Sequence, residues 1–233
     1  MPLRLDFGPG ANTNELKLTN LTNTPMVLQV NLKEWTQENG VDKYTDSKDL
    51  FFAPPIVRVP ASSETVIRFR MKVGADRVRQ KSYRVFVEQI TNGAAADTPT
   101  GSVFRLRFGI PAFIEPIEQA QVDPVINLER VAPNHVRAMV TNNGQMHLKV
   151  IQARIYPAGV NEKRPPAAGH FAMATNSQNQ TAYVLPGSTQ VWDLVSTEPF
   201  PNDARLLLWT DYKSNRPVAP FSPAGYVWMN LPK

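Results

Sequence analysis

Side chains capable of acid–base or metal chemistry are few in this sequence of 233 residues, and their spacing matches no catalytic pattern. There is no cysteine, and the three histidines, His135, His147 and His170, form neither an HxH nor an HExxH arrangement. The sequence also lacks a GxSxG, a P-loop and a GxGxxG motif. We therefore predict no catalytic residue, no metal site and no cofactor, and we expect a protein that is not an enzyme.

Aromatic side chains offer a second kind of chemistry, the stacking of sugar rings. The four tryptophans are Trp35, Trp192, Trp209 and Trp228. Each lies in or beside a segment with a strand pattern, which favours a place in a protein core over a place in an exposed sugar-binding platform.

A basic segment, VIRFRMKVGADRVRQKSYR (residues 66–84), carries seven Lys or Arg residues and one acid within a chain of net charge +5. It permits three interpretations: a nucleic-acid patch, the solvated face of a strand, or a docking site for an acidic group of a protein partner. Arg68 and Arg70 alternate with Ile67 and Phe69. This alternation favours the solvated strand face.

A further candidate for a binding site is the segment TGSVFRLRFGIPAFIEP, residues 100–116. In an extended chain four apolar side chains fall on one face: Phe104, Leu106, Phe108 and Ile110. Pro111 interrupts the run, and because proline cannot donate to a sheet ladder, it favours the edge of a sheet. A bulky apolar edge strand promotes aggregation unless it has a partner. The small and polar residues 91–102 predict a mobile loop before this strand.

The elements around these residues are strands. Segments such as NELKLTN, PMVLQVNLKEW, SYRVFVEQI and HVRAMVTNN recur along the chain between polar turns. This spacing is typical of an all-β sandwich or barrel. No segment has a convincing amphipathic helical pattern, and none approaches the roughly 18 consecutive apolar residues of a membrane span. We therefore predict an all-β fold without membrane insertion.

The two halves of the chain share local patterns. Asn20 and Asn142 each end a strand before a turn, and a proline-led turn follows about 40 residues later in both halves. The segment EPIEQAQVDP, residues 115–124, is polar and bracketed by prolines. We therefore predict two sandwich domains, residues 1–116 and residues 117–233.

Several motifs occur in an order characteristic of one protein family. In the first half they are TNLTNTPMVLQV, FFAPPIVRVPASSETVIRF, SYRVFVEQI and GIPAFIEP. In the second half they are NNGQMHLKVIQARI, VLPGST and TDYKSNRPV. This ordered set, which spans nearly the whole chain, resembles the periplasmic chaperones of chaperone–usher pili. The resemblance implies two immunoglobulin-like β-sandwich domains in an L-shaped arrangement.

The resemblance also implies a function for the apolar edge strand. Such chaperones hold incomplete pilus subunits by lending them a strand, and then deliver them to an outer-membrane usher. The side chains lent here would be Phe104, Leu106, Phe108 and Ile110, in a case of β-strand addition. The implied partners are pilus subunits and the usher, with no nucleic acid and no small-molecule substrate.

Many members of the family hold the terminal carboxylate of the subunit with a basic pair. The arginine of that pair matches Arg4, whereas the lysine position falls on Pro111. The Ser-Tyr-Arg of SYRVFVEQI and the Ile-Pro-x-Phe of GIPAFIEP are similar to the archaic branch of the family, in which Arg84 is a candidate replacement. The resemblance thus implies Arg4 and Arg84 as anchor candidates, and a solvated strand position is the alternative for Arg84.

Two other classes of function stay open. A two-domain adhesin or pilus tip subunit of similar build would lack its final strand or carry a donor extension, whereas both halves here contain a complete set of strand patterns. An enzyme or carbohydrate-binding module is the third class. The N-terminal MPLRLDFGPG lacks a signal-peptide pattern, which suits a cytosolic protein or a mature periplasmic chain. With the resemblance, we predict a periplasmic location.

Overall fold

The computed structural model of the chain describes residues 4–8, 10–72, 74–76, 78–90, 106–161, 182–211 and 226–232. Every regular element within these residues is a β-strand, as the sequence predicts. The chain divides into two compact units, Met1–Thr36 with Tyr44–Gln119, and Gln37–Lys43 with Ala120–Lys233. The division after Gln119 falls close to the predicted boundary after residue 116, whereas the sequence pattern did not predict the assignment of Gln37–Lys43.

Nine strands build the described part of the first unit, although the end of β3 and the start of β4 fall within the Gln37–Lys43 segment of the second unit. They are β1 (Leu5–Phe7), β2 (Thr13–Asn20), β3 (Met26–Glu38), β4 (Val41–Asp46), β5 (Leu50–Ala53), β6 (Ile56–Val59), β7 (Ser63–Met71), β8 (Lys81–Gln89) and β9 (Arg107–Ile114). One sheet has the order β1-β9-β8-β3-β4, with β6 also paired to β3, and the other has the order β2-β7-β5. One hydrophobic core contains buried side chains from both sheets. The first unit is therefore a β-sandwich.

The basic segment illustrates why the strands face as they do. In β7, Ile67 and Phe69 are buried in the core, while Arg68 and Arg70 between them are exposed. Because successive side chains of a strand point to opposite faces, the apolar positions face inward and the arginines meet solvent. The solvated-face interpretation of this segment is confirmed for these two arginines.

The described part of the second unit has seven strands: β10 (Pro124–Ala132), β11 (His135–Asn142), β12 (Leu148–Tyr156), β13 (Tyr183–Val184), β14 (Thr189–Val195), β15 (Arg205–Thr210) and β16 (Tyr226–Asn230). They form a β10-β11-β14 sheet and a β13-β12-β15-β16 sheet. Buried side chains of both sheets, such as Val140, Leu148 and Leu208, share its core. The second unit is thus also a sandwich.

The repeated asparagines occupy equivalent places in the two units. The amide nitrogen of Asn20 donates to the carbonyl oxygens of Thr24 and Val59 at 2.8 and 3.2 Å. The amide nitrogen of Asn142 donates to those of Met146 and Val184 at 2.7 and 3.1 Å. Each side chain is buried and ties its own turn to a distant strand end. The local resemblance of the two halves therefore reflects a shared structural device.

The prediction that the tryptophans are core residues is only partly right. Trp35 and Trp192 are buried, but Trp209 is 39% exposed and Trp228 is partly buried. Trp209 lies on β15, where the side chains of Leu206 and Leu208 fill the core. Because Trp209 has the opposite parity, its side chain is directed away from that core.

Candidate site for strand pairing

Strand β9 has eight residues, and five of them have a pairing strand on one side only. It pairs antiparallel with β8 along its whole length, from Arg107 opposite Glu88 to Ile114 opposite Lys81. On its other side it pairs in parallel with β1, but only from Ala112 to Ile114. Within the described residues, the stretch from Arg107 to Pro111 therefore presents an open sheet edge.

Alternate residues of β9 direct their backbone N–H and C=O groups toward β8 or toward the open edge. The amide of Gln89 donates to the carbonyl of Leu106 at 2.9 Å, so even-numbered β9 residues bond to β8. Odd-numbered residues face the other way, as the bond from the Glu115 amide to the Phe7 carbonyl at 2.9 Å shows on the β1 side. Pro111 is odd-numbered, so its missing N–H falls on the edge side and leaves the β8 ladder intact. The prediction that Pro111 marks an edge is confirmed.

The predicted apolar row divides into an exposed and a buried part. Leu106 is 45% exposed and Phe108 is 42% exposed, whereas Ile110 is 4% exposed and belongs to the core of the first unit. Ile110, the last residue of the predicted row, is therefore already buried in the free chain, and its part in subunit binding stays a prediction. The row faces inward, and Ile110 is level with the buried Val85, so the core of the sandwich already covers it. Phe104, with the predicted loop before it, lies outside the described residues.

The opposite face of β9 carries cation–aromatic contacts. The guanidinium of Arg107 lies 4.4 Å from the ring centre of Phe86 and forms an ion pair of 2.8 Å with Glu88. Tyr44 meets the ring of Phe86 edge-on at 5.2 Å. Gly109 lies directly opposite Phe86 on this surface and is exposed. These contacts fix the orientation of β8 next to the open edge.

The two anchor candidates flank Pro111 on this same face. Arg84 is the β8 partner of Pro111, and Arg4 directly precedes Leu5, which pairs with Ala112. Since neighbouring strands lie about 4.8 Å apart, both arginines are close to Pro111. Sequence reasoning selected these two residues, and the sheet register places them in one row.

Each arginine already has partners in the chain. The guanidinium carbon of Arg84 lies 3.9 Å from the ring centre of Trp35, and its Nη1 donates to the carbonyl of Gly109 at 3.2 Å. The Nε of Arg4 donates to the carboxylate of Asp6 at 2.7 Å. Trp35 and Gly109 were not predicted as site residues, because only the register of distant strands brings them to Arg84.

Several other titratable groups form local ion pairs. In the second unit, His135 and Arg137 contact the carboxylate of Asp193 at 2.8 and 3.0 Å. Burial raises the pKa of Asp193, but the hydrogen bonds from His135 and Arg137 lower it, and the net pKa lies below its usual value. No group of three or more acidic, His or Cys side chains suited to a metal ion occurs in the described part of the chain. Of the other two histidines, His147 packs against Tyr183 with 5.5 Å between the ring centres, and His170 lies outside the described residues.

The first unit matches the model of a known protein family. The N-terminal domain model of the PapD family, a pili and flagellar-assembly chaperone, matches residues 2–120. The chain belongs to this family. The predicted resemblance is thereby confirmed, and with it the immunoglobulin-like fold of a PapD-family chaperone. No curated protein matches the sequence.

Solved structures share the fold along nearly the whole chain. The CsuC–CsuE complex, a chaperone with a tip adhesion subunit from the archaic Csu pili of Acinetobacter baumannii, is 14% identical with a TM-score of 0.58, covering 89% of this chain and 91% of that one. The CupB2 chaperone of Pseudomonas aeruginosa is 13% identical with a TM-score of 0.55, covering 99% and 98%. The SafB chaperone complex with the SafA pilin of Salmonella enterica is 12% identical with a TM-score of 0.56, covering 98% and 93%. Across the described residues, no helix has the length and hydrophobicity needed to cross a membrane.

Proposed function

We propose that this PapD-family protein binds pilus subunits in the periplasm by lending them strand β9, and then delivers them to an outer-membrane usher. The observation that carries the proposal is the open edge from Arg107 to Pro111, next to the exposed Leu106 and Phe108. An incoming strand can use the odd-numbered backbone groups of β9 for pairing. It gains apolar burial from the even-numbered side chains at the same time. Two of the similar structures are complexes of a chaperone with a pilin or a tip adhesion subunit, which supports this class of partner.

The register limits the length of the new ladder. Arg107 and Gly109 carry N–H groups on the edge side, whereas Pro111 carries none and β1 occupies the edge from Ala112 onward. A subunit strand therefore pairs from Pro111 toward the N-terminal end of β9. Phe104 precedes β9 in the sequence and stays a proposed member of the lent row. Ile110 is the inner end of the row, where the subunit meets the chaperone's own core.

The anchor for the subunit's terminal carboxylate is the basic row beside Pro111. Arg84 is held by the face of Trp35, and Arg4 is close to Asp6. A charge-assisted hydrogen bond to a carboxylate contributes roughly 1.5–3 kcal/mol. Asp6 competes with that carboxylate for Arg4, so we assign the larger share of anchoring to Arg84.

Residue-resolved hydrogen exchange tests the lent strand. In the free protein, the amides of Phe108 and Ile110 bond to β8 and should be protected, whereas those of Arg107 and Gly109 face the open edge and should exchange fast. A co-purified pilus subunit should slow the exchange of Arg107 and Gly109 while Phe108 and Ile110 change little. Fast exchange of Arg107 and Gly109 in a stoichiometric complex would show that the subunit binds elsewhere.

Substitution of the two arginines tests the anchor. We expect Arg84→Ala to reduce subunit recovery from the periplasm strongly, and Arg4→Ala to reduce it less. Free Arg4→Ala should melt close to the wild type, because an exposed ion pair contributes little to stability. Free Arg84→Ala should lose no more than the contribution of its cation–π contact with Trp35, about 0.5–2 kcal/mol. Wild-type recovery with both variants would remove these arginines from the proposal without affecting the lent strand.

A further inference from the structure

Arg84 reaches the open edge by crossing β9. Its side chain starts on β8, opposite Pro111, and its Nη1 ends 3.2 Å from the carbonyl of Gly109. Gly109 is odd-numbered, so this carbonyl faces the edge and not β8. The guanidinium therefore passes over the backbone of β9 at Gly109.

The small size of residue 109 leaves room for this crossing. A Cβ atom there would lie 3.4 Å from Cδ of Arg84 and 3.4 Å from Cε1 of Phe86, so any larger side chain would occupy the space that these two groups share. The backbone itself does not require glycine, because Gly109 has no φ in the left-handed region. Glycine within a strand interior weakens the strand, and it often marks a site where another group approaches the backbone closely. The crossing of Arg84 supplies that reason here.

We propose that Gly109 is the positioning residue of the anchor, and that Arg84 couples carboxylate capture to strand pairing. In the free chain, Arg84 caps the Gly109 carbonyl, which is a hydrogen-bond acceptor at the centre of the open edge. This cap guards the edge against pairing with unsuitable strands, a known hazard of exposed edges. A chain that ends in a carboxylate draws Arg84 toward itself and releases the Gly109 carbonyl to accept the partner's N–H. The inference rests on the proposed function, because it assumes that the partner pairs with β9.

Two short peptides of alternating valine and threonine, identical except for a C-terminal carboxylate or carboxamide, provide the probe. We expect the wild-type chain to bind the carboxylate peptide roughly tenfold more tightly or better, the gain of one charge-assisted bond. In Gly109→Val the preference should fall to about onefold, and the carboxamide peptide should bind at least as tightly as it does to wild type, because the Arg84 cap no longer occupies the carbonyl of residue 109. Thermal stability of Gly109→Val should stay equal or rise, since valine suits strands better than glycine.

A double-mutant cycle separates positioning from simple steric effects. If Gly109 acts through Arg84, the variant with both Gly109→Val and Arg84→Ala should show the same peptide preference as Arg84→Ala alone. Gly74→Val is the matched control, because a Cβ at Gly74 has no neighbour within 4 Å, and it should keep the full wild-type preference. The amide nitrogen of Ile110, which belongs to the same peptide group as the Gly109 carbonyl, should shift in NMR spectra when the carboxylate peptide replaces the carboxamide peptide.

The outcomes distinguish this inference from the proposed function. Full carboxylate preference in Gly109→Val, or additive effects in the cycle, would overturn the role of Gly109 while strand binding stands. Binding of neither peptide to the wild-type chain would overturn the proposed function and this inference together.

Discussion

Truncating the exposed side chains of the apolar row should weaken subunit binding, whereas truncating its buried side chain should destabilise the free chain. Phe108 and Ile110 lie two positions apart on one face of β9, yet they are 42% and 4% exposed. We therefore compare the double variant Leu106→Ala/Phe108→Ala with the single variant Ile110→Ala. The first removes surface that is available to a subunit, and the second removes part of the chaperone's own core.

The magnitudes follow from the exposed fractions. Complete burial of a Phe or Leu side chain contributes about 1.5–3 kcal/mol. With 42% of Phe108 and 45% of Leu106 exposed, burying the remainder of both would contribute about 1.3–2.6 kcal/mol to subunit binding. This corresponds to roughly ten- to seventy-fold in affinity. Ile110→Ala should instead lower the free energy of unfolding of the free chain by about 2–5 kcal/mol.

Urea unfolding of the free variants and titration with a purified subunit measure the two effects separately. The double variant should unfold near the wild-type midpoint and bind the subunit weakly. Leu106→Glu should bind still more weakly, because it places an unpaired carboxylate in an apolar groove. The reasoning is refuted if the double variant destabilises the free chain as much as Ile110→Ala does and leaves subunit affinity unchanged. The row would then be an ordinary part of the chaperone's core.

Three further predictions concern the second unit. Asn142→Ala should lower its free energy of unfolding by about 1–3 kcal/mol, because buried backbone groups lose their partners; calorimetry measures this, and an unchanged transition would contradict it. Gly144→Ala should destabilise by about 1–3 kcal/mol or more, since its Cβ would lie 2.4 Å from the carbonyl oxygen of Gln121; wild-type stability would exclude this steric account. The pKa of Asp193 is lowered in the folded state, so its contribution to stability is complete above the usual value of 3.8 and is lost as pH falls through the folded pKa. Melting curves between pH 2 and 7 should thus show a weaker loss of stability in acid for Asp193→Asn, and identical slopes for both proteins would refute this.

The strands and their facing directions are largely determined by the sequence. The alternation of Ile67 and Phe69 with Arg68 and Arg70 is enough to place β7 on a sandwich with a solvated outer face, because side-chain direction in a strand is local. Asn20 and Asn142 similarly indicate two related turns, and each side chain bonds to a carbonyl within its own turn. The edge character of β9 follows from Pro111, whose lack of an N–H group is a covalent property.

Two other strands could not be predicted from the sequence, because their formation depends on distant partners. The sequence VDKYTD of β4 has no apolar alternation, and most of its residues are exposed. It becomes a strand because the backbone of β3 offers it a hydrogen-bonding partner. Strand β5, LFFA, was likewise not predicted, although its pairing with β7 completes the smaller sheet.

The working details of the candidate site were decided by tertiary structure alone. The alternation placed Leu106, Phe108 and Ile110 on one face, but only the extent of the packed core determines that Ile110 is covered and the other two are exposed. The meeting of Arg84 with Gly109 depends on the β8–β9 register, which joins residues 25 positions apart in the chain. A sequence pattern records the direction of each side chain along its own strand. It does not record where a neighbouring strand begins or ends, and those limits, set by packing and register, leave the edge of β9 open.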